Sequence, residues 1–271
     1  MSDDKESLLM RTRRSAAPGW PELEAMVRAR TPARLLLGRA GAAYTTATQI
    51  QLRHDHAAAR DAVMKEFDFQ HDLGETFIAK HDLFLAATEA RSKAEYLMRP
   101  DLGREFSERT KQTLQCAPQK ADIQIAIGDG LSVTAMLKQG PPLLDLLTEG
   151  AQKRGWRLGR PFVVQYCRVG VLNSIGSILQ PEIAILLIGE RPGLATAESL
   201  SAYLAHRPND SHTDANRNLI SNIHERGVPL DQAAERILNL AEQMKQKRLS
   251  GAMLKESFGE IGTLASHDDS A

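Results

Sequence analysis

A Rossmann-like α/β fold, a parallel sheet flanked by helices and preceded by a mostly helical N-terminal extension, is predicted for this chain by three observations. Strand-length apolar runs recur at IQIAIGDGLS (Ile123 to Ser132), PFVVQYCRVG (Pro161 to Gly170) and IAILLIGERPG (Ile183 to Gly193), each closing on a polar loop marked by glycine. Helix-length segments separate them, so that from Asp122 onward the order reads strand, loop, helix. IAILLI is apolar at every position, as a strand covered on both faces must be. Open parallel sheets bind ligands beyond the carboxyl ends of their strands, and three such ends side by side would compose one site.

In chain order, residues 1–20 carry basic residues and a few leucines but no apolar block of the kind that defines a secretory signal; a flexible tail is expected. Pro21 to Arg30 reads as a short helix with proline in its first turn. TPARLLLGRAGAAYTT, with Gly38 and Gly41, reads as an irregular segment ending at an N-cap, followed by a helix to about Glu66. TFIAKHDL, within the ambiguous stretch from Phe67 to Ser92, is compatible with a short strand. Beyond Pro100, the residues Leu102, Phe106, Thr110 and Leu114 fall on one face of an amphipathic helix. Pro141-Pro142 is expected to start a helix that ends near Gly155. After IGERPG the pattern loosens, until Pro229 opens a last helix to about Leu249 with Ala233, Ile237, Leu240, Ala241 and Met244 on one stripe. The expected organisation is a tail (1–20), an extension or partner-contact region (21–115), a Rossmann-like domain (116–250) and a C-terminal tail (251–271).

Composition narrows the function classes. The 271 residues are 42% hydrophobic and 25% charged, ordinary globular usage. Lys plus Arg equals Asp plus Glu at 34 each, which gives no basic excess for binding nucleic acid. The longest apolar run is strand-sized, so neither a membrane span nor a membrane partner is expected. Cys116 and Cys167 lack CxxC spacing, which argues against a zinc knuckle or a disulfide framework and for a reducing compartment.

Catalytic signatures are thin. GDGLS is not the full G-x-G-x-x-G, because position 133 is Val, and neither a P-loop nor HExxH or GxSxG occurs. Gly128 and Gly130 suit a tight turn or a close approach to a ligand; Asp129 could cap the next helix or accept a hydrogen bond from a ligand. Glu190 and Arg191 deliver a charged pair at the end of the most apolar strand, toward the crevice or into a local ion pair. Val169 ends the middle strand, as core or as an apolar contact. His54 and His56, two apart on a helix, point to different sides and cannot jointly hold a metal.

One resemblance gathers these strand ends. GRAG (Gly38 to Gly41), YLMRPDLGR (Tyr96 to Arg104), GDGLS (Gly128 to Ser132), GRPFVVQYCRV (Gly159 to Val169), ILLIGERPGL (Ile185 to Leu194), ESLSAY (Glu198 to Tyr203) and ISNIH (Ile220 to His224) resemble, in order, the small subunit of ethanolamine ammonia-lyase. The resemblance implies a subunit of an adenosylcobalamin-dependent lyase that converts ethanolamine to acetaldehyde and ammonia. It implies a large partner subunit, a barrel that binds ethanolamine, over whose cobalamin this chain closes in a higher hetero-oligomer. The expected setting is the bacterial cytoplasm, with a bacterial microcompartment as one location known in the family. The family's cobalamin contacts fall here at Val169 and Glu190, and a third, a cysteine in the family, at Leu219, where no thiol remains. Strand-end geometry adds Arg168, Arg191, Asp129 and Ser132 as candidates for a polar rim. No catalytic or metal-ligating residue is assigned to this chain, because DxHxxG is absent and the cofactor is expected to keep its own base on cobalt. The alternatives are a noncatalytic scaffold subunit and a stand-alone Rossmann-type nucleotide-binding enzyme.

Overall fold

The computed structural model describes residues 20–31, 35–37 and 39–255, so Gly38 and most of the two expected tails lie outside the described residues. Two compact units divide the chain, residues 1–54 and 55–271. In the first, α1 (Trp20–Arg30) precedes a small hairpin of β1 (Arg39–Ala40) and β2 (Ala43–Tyr44), which turns at Gly41 with φ +65°. Helix α2 (Thr46–Met64) then begins where Thr45 Oγ1 accepts the Thr48 N–H at 3.3 Å, the expected N-cap. Neither α1 nor α2 buries a residue.

The second unit is built on a mixed, mostly parallel six-stranded sheet. Its strands are β3 (Phe84–Ala87), β4 (Ile123–Gly128), β5 (Phe162–Gln165), β6 (Ile183–Gly189), β7 (Leu200–His206) and β8 (Asn218–Ile223), in the order β3-β5-β4-β6-β7-β8. The first four in that order are parallel, and β7 and β8 are antiparallel additions. Every residue of β4 and β6 is buried; β6 is apolar throughout, and the polar residue within β4, Gln124, donates to Ile125 O and Arg160 O. On one face α7 (Val133–Lys153) and α9 (Leu230–Lys247) enclose a core containing Ile125, Leu144, Ile185, Leu204 and Ile237. On the other, α6 (Glu108–Gln115) and α8 (Val171–Leu179) pack with Phe106, Phe162, Ile175 and Leu186. Helix α8 packs on β6, whereas Leu219 and Ser221 of β8 stay exposed on the sheet's flank. All five residues of the expected α9 stripe are buried.

Several elements differ from expectation, each for a local reason. TFIAKHDL is helical in α4 (Glu75–His81), not a strand. Asp68 caps the preceding α3 (Phe69–Leu73) by accepting the Gln70 and His71 N–H groups, and Phe77 and Ile78 of α4 pack against the core. The strand is the next segment, β3, so the sheet already draws on residues upstream of 116. The helix expected across Leu102 to Leu114 is broken. A 3-10 turn at Leu102–Arg104 gives way to extended chain, whose Ser107 N–H donates to Ala87 O at 3.0 Å, before α6 restarts on its Ser107 cap. Pro141 and Pro142 lie inside α7 rather than at its start, because Ser132 Oγ accepts the Ala135 N–H and begins the helix earlier. Each proline withholds an N–H from the helical ladder. Among the described residues, no helix is long and apolar enough to cross a membrane.

Candidate functional site

The carboxyl ends of β4, β5 and β6 meet at one cleft of about 320 Å3. Leu131 N–H donates to Gly189 O at 3.1 Å and Asp129 N–H to Val164 O at 3.1 Å, which ties the three strand ends together. Gly130 makes the turn with φ +57°. Arg168 and Val169 come from the loop after β5, Glu190 and Arg191 from the end of β6, and Leu219 from β8; all five line the cleft. Leu219 stands opposite Tyr203 across the β7–β8 ladder, and both reach the cleft.

Each side chain is set by its surroundings. Glu190 accepts hydrogen bonds from Ser199 Oγ at 2.7 Å, Ser201 Oγ at 2.6 Å and the Asn222 N–H at 2.9 Å. It thereby fixes the bulge at which the β7–β8 register shifts, where Asn222 has φ +61°. The Arg168 guanidinium lies over Tyr96, 4.4 Å from the ring centroid, and its Nε is buried with no partner. Tyr96 is fully buried and donates its hydroxyl to Cys167 O at 2.9 Å, which carries the loop that presents Val169. Arg191 is exposed at the mouth.

Two of the expected contacts belong to the scaffold instead. Asp129 is 1% exposed and accepts the N–H groups of Tyr166 and Cys167, both at 2.8 Å; it neither caps α7 nor lines the cleft. Ser132 is fully buried, caps α7 and donates to Ala197 O at 2.5 Å. Both act on the site by holding its loops. Tyr96 and Ser201 were missed by sequence reasoning, since the YLMRPDLGR and ESLSAY motifs that contain them have no spacing that marks a cleft.

Burial pushes the Asp129 carboxyl up to about 6, against the N–H donors of Cys167 and Tyr166 and the charge of Lys93. The unfolded chain would release that proton near 3.8. Between these values the native state holds more of the proton, so this group's contribution to stability falls as pH rises through that window and is level above it. A 13C titration should place the Asp129 midpoint near 6; a midpoint below 3.8 would show that the N–H donors outweigh burial.

Lys93 is 3% exposed, its Nζ has no hydrogen-bond partner, and burial holds its ammonium below the ordinary lysine value. Burial, and then the Asp129 charge, push the Cys167 thiol up, so it stays protonated and is a poor nucleophile. Burial likewise raises Tyr203. No histidine lines the cleft. Among the described residues, no three His, Cys, Asp or Glu side chains converge to hold a metal ion. The cleft can position and cover a ligand.

The family described as ethanolamine ammonia-lyase light chain matches residues 21–255. The chain is 40% identical over 233 residues to the ethanolamine ammonia-lyase small subunit of Clostridium perfringens, covering 84% of this chain and 76% of that one. It is 37% identical over 261 residues to the small subunit of Pseudomonas syringae pv. tomato, covering 95% and 90%. With the small subunit of Clostridium acetobutylicum it shares 38% over 231 residues, covering 84% and 93%.

Proposed function

Since this chain belongs to the ethanolamine ammonia-lyase light-chain family, and is thus a subunit of an ammonia-lyase, we propose that its cleft closes one side of an adenosylcobalamin site shared with a large subunit. The observation that carries this reading is the convergence of Val169, Glu190 and Leu219, from three separate chain segments, on one cleft with Arg168 and Arg191. The residues present fit an edge or a face of a corrin. Val169, Ile188 and Leu219 offer apolar contact, and Glu190 and Arg191 offer a polar edge. At about 320 Å3 the cleft is far smaller than a cobalamin, so this chain covers the group and a partner must hold the remainder.

When bound, adenosylcobalamin supplies the radical chemistry, which lies outside the repertoire of ordinary side chains. This chain's own residues do the positioning. Glu190, held by two hydroxyls and one N–H, is a fixed acceptor edge; Val169 and Leu219 exclude water from the covered side. Leu219 preserves an apolar contact where the family offers a thiol. Ethanolamine binding, the barrel architecture of the large subunit, a higher hetero-oligomer and a bacterial cytoplasmic or microcompartment setting belong to the same proposal.

The test is to co-express this chain with a family large subunit and measure acetaldehyde formed from ethanolamine, omitting in turn each chain and adenosylcobalamin. Activity is expected only with all three components. Undiminished activity without this chain, or without adenosylcobalamin, would overturn the reading.

A further inference from the structure

A second cavity, of about 590 Å3, opens beside the cleft and shares Arg168, Val169 and Tyr203 with it. Its walls gather positive charge from segments far apart in the chain. Arg217 is 5% exposed at its side chain; one terminal nitrogen pairs with Asp214 and the other donates to Asn173 Oδ1 at 2.9 Å. Its Nε is buried without a partner, as are Arg168 Nε and His212 Nδ1. Arg104 stands exposed at the rim, its stem against Gly170, where a Cβ would come within 2.7 Å of Arg104 Cγ. The two carboxylates in the wall are engaged, Asp214 with Arg217 and Glu105 with Ser174 Oγ at 2.9 Å. Buried donors in native proteins almost always have an acceptor. Two guanidinium N–H groups left without acceptors in the walls of one cavity, with a third guanidinium at its mouth, point to an acceptor-rich anion.

We propose that this cavity is a phosphate-class oxyanion site, in which Arg104, Arg168 and Arg217 grip a tetrahedral phosphate. Guanidinium forks match phosphate oxygens in pairs, and three of them around one cavity suit a tetrahedral group better than a planar carboxylate. Two sources share that chemistry: the phosphodiester of a corrinoid seated in the adjoining cleft, and free phosphate. The first source rests on the cofactor reading above; the second does not.

The experiment measures binding to the complex of this chain with a large subunit, using adenosylcobalamin, adenosylcobinamide (the corrin without its nucleotide phosphodiester) and sodium phosphate. The wild type is compared with Arg104→Ala at the exposed rim, with Arg217→Gln, and with Arg104→Lys as a charge-retaining control. A loss of about tenfold or more for adenosylcobalamin in Arg104→Ala and Arg217→Gln, with adenosylcobinamide unchanged, supports the site with the phosphodiester-bearing nucleotide of the corrinoid as its occupant. Phosphate binding that the same two variants abolish, with adenosylcobalamin affinity intact, supports the site with free phosphate. Equal adenosylcobalamin affinity in folded wild type and variants, and no phosphate binding to wild type, overturns the proposal. Should wild type bind neither corrinoid, the cofactor reading fails, and the phosphate titration alone decides the site.

Discussion

Replacing Gly130 with alanine should destabilise the fold strongly and distort the cleft. Gly130 has φ +57°, a conformation that costs an L residue roughly 1–2 kcal/mol before any contact is counted. Its Cβ would then stand 2.2 Å from Gly189 O and 2.7 Å from Ile188 Cγ1. Both atoms belong to β6, which is buried along its whole length, so neither can retreat without moving the centre of the sheet. Overpacking of this kind costs a further ~1–3 kcal/mol or more. The comparison that isolates the cause is Gly155→Ala. Gly155 also has positive φ, +69°, but its Cβ would meet nothing within 4 Å. Urea midpoints should therefore fall steeply for Gly130→Ala and modestly for Gly155→Ala. Equal shifts would show that dihedral strain alone matters and that the close approach of β4 to β6 does not.

Asp129→Ala should be nearly as damaging, and Asp129→Asn should not rescue it. The carboxylate accepts two buried backbone N–H groups, one on each oxygen, from Tyr166 and Cys167. Alanine strands both, at about 1–3 kcal/mol each, and deprives the buried Lys93 charge of a neighbouring countercharge. Against a total stability of about 5–15 kcal/mol, that is a large share. Asparagine has one carbonyl oxygen and turns an NH2 group toward the other N–H, so it satisfies a single donor. Thermal unfolding followed by near-UV circular dichroism should show both variants well below wild type, Ala lowest. Wild-type stability in Asp129→Asn would mean that only one of the two N–H bonds matters. Because these bonds hold the loop carrying Arg168 and Val169, a surviving variant should also lose adenosylcobalamin affinity in the complex.

The parallel centre of the sheet was legible because β4, β5 and β6 are covered on both faces and read as apolar runs, broken by Gln124 in β4 and ended by Gln165 in β5. The edges were not. β3 is four residues long with Leu85 40% exposed, too short for a pattern to establish itself. LSAYLAH hides its alternation because Ser201 is buried against Glu190 and Tyr203 faces the cleft, so polar residues occupy positions that a strand pattern reserves for apolar ones. Pro141-Pro142 misled the placement of α7 because proline normally marks a first turn, and only the Ser132 cap shows where this helix starts. At the site, the strand ends told which segments converge but not which way a side chain points. Asp129 and Ser132 sit on a site-forming loop and face inward, while Arg168, Val169, Glu190, Arg191 and Leu219 reach the cleft.

The edge position of β3 sets a schedule for biosynthesis. Its ladder partner β5 follows it by about 80 residues, and β5 in turn lies against β4, which β6 must cover. At the ribosome's pace of ~5–20 residues per second, β3 leaves the tunnel on the order of 4–16 s before the strand it pairs with. During that interval a nascent chain displays Phe84 and Leu85 on an unpaired strand, the kind of segment that chaperones bind and that promotes aggregation. Slower translation would lengthen the exposure, so the yield of soluble chain should depend on elongation rate over the codons read between the emergence of β3 and the emergence of β5 from the tunnel more than on codons elsewhere.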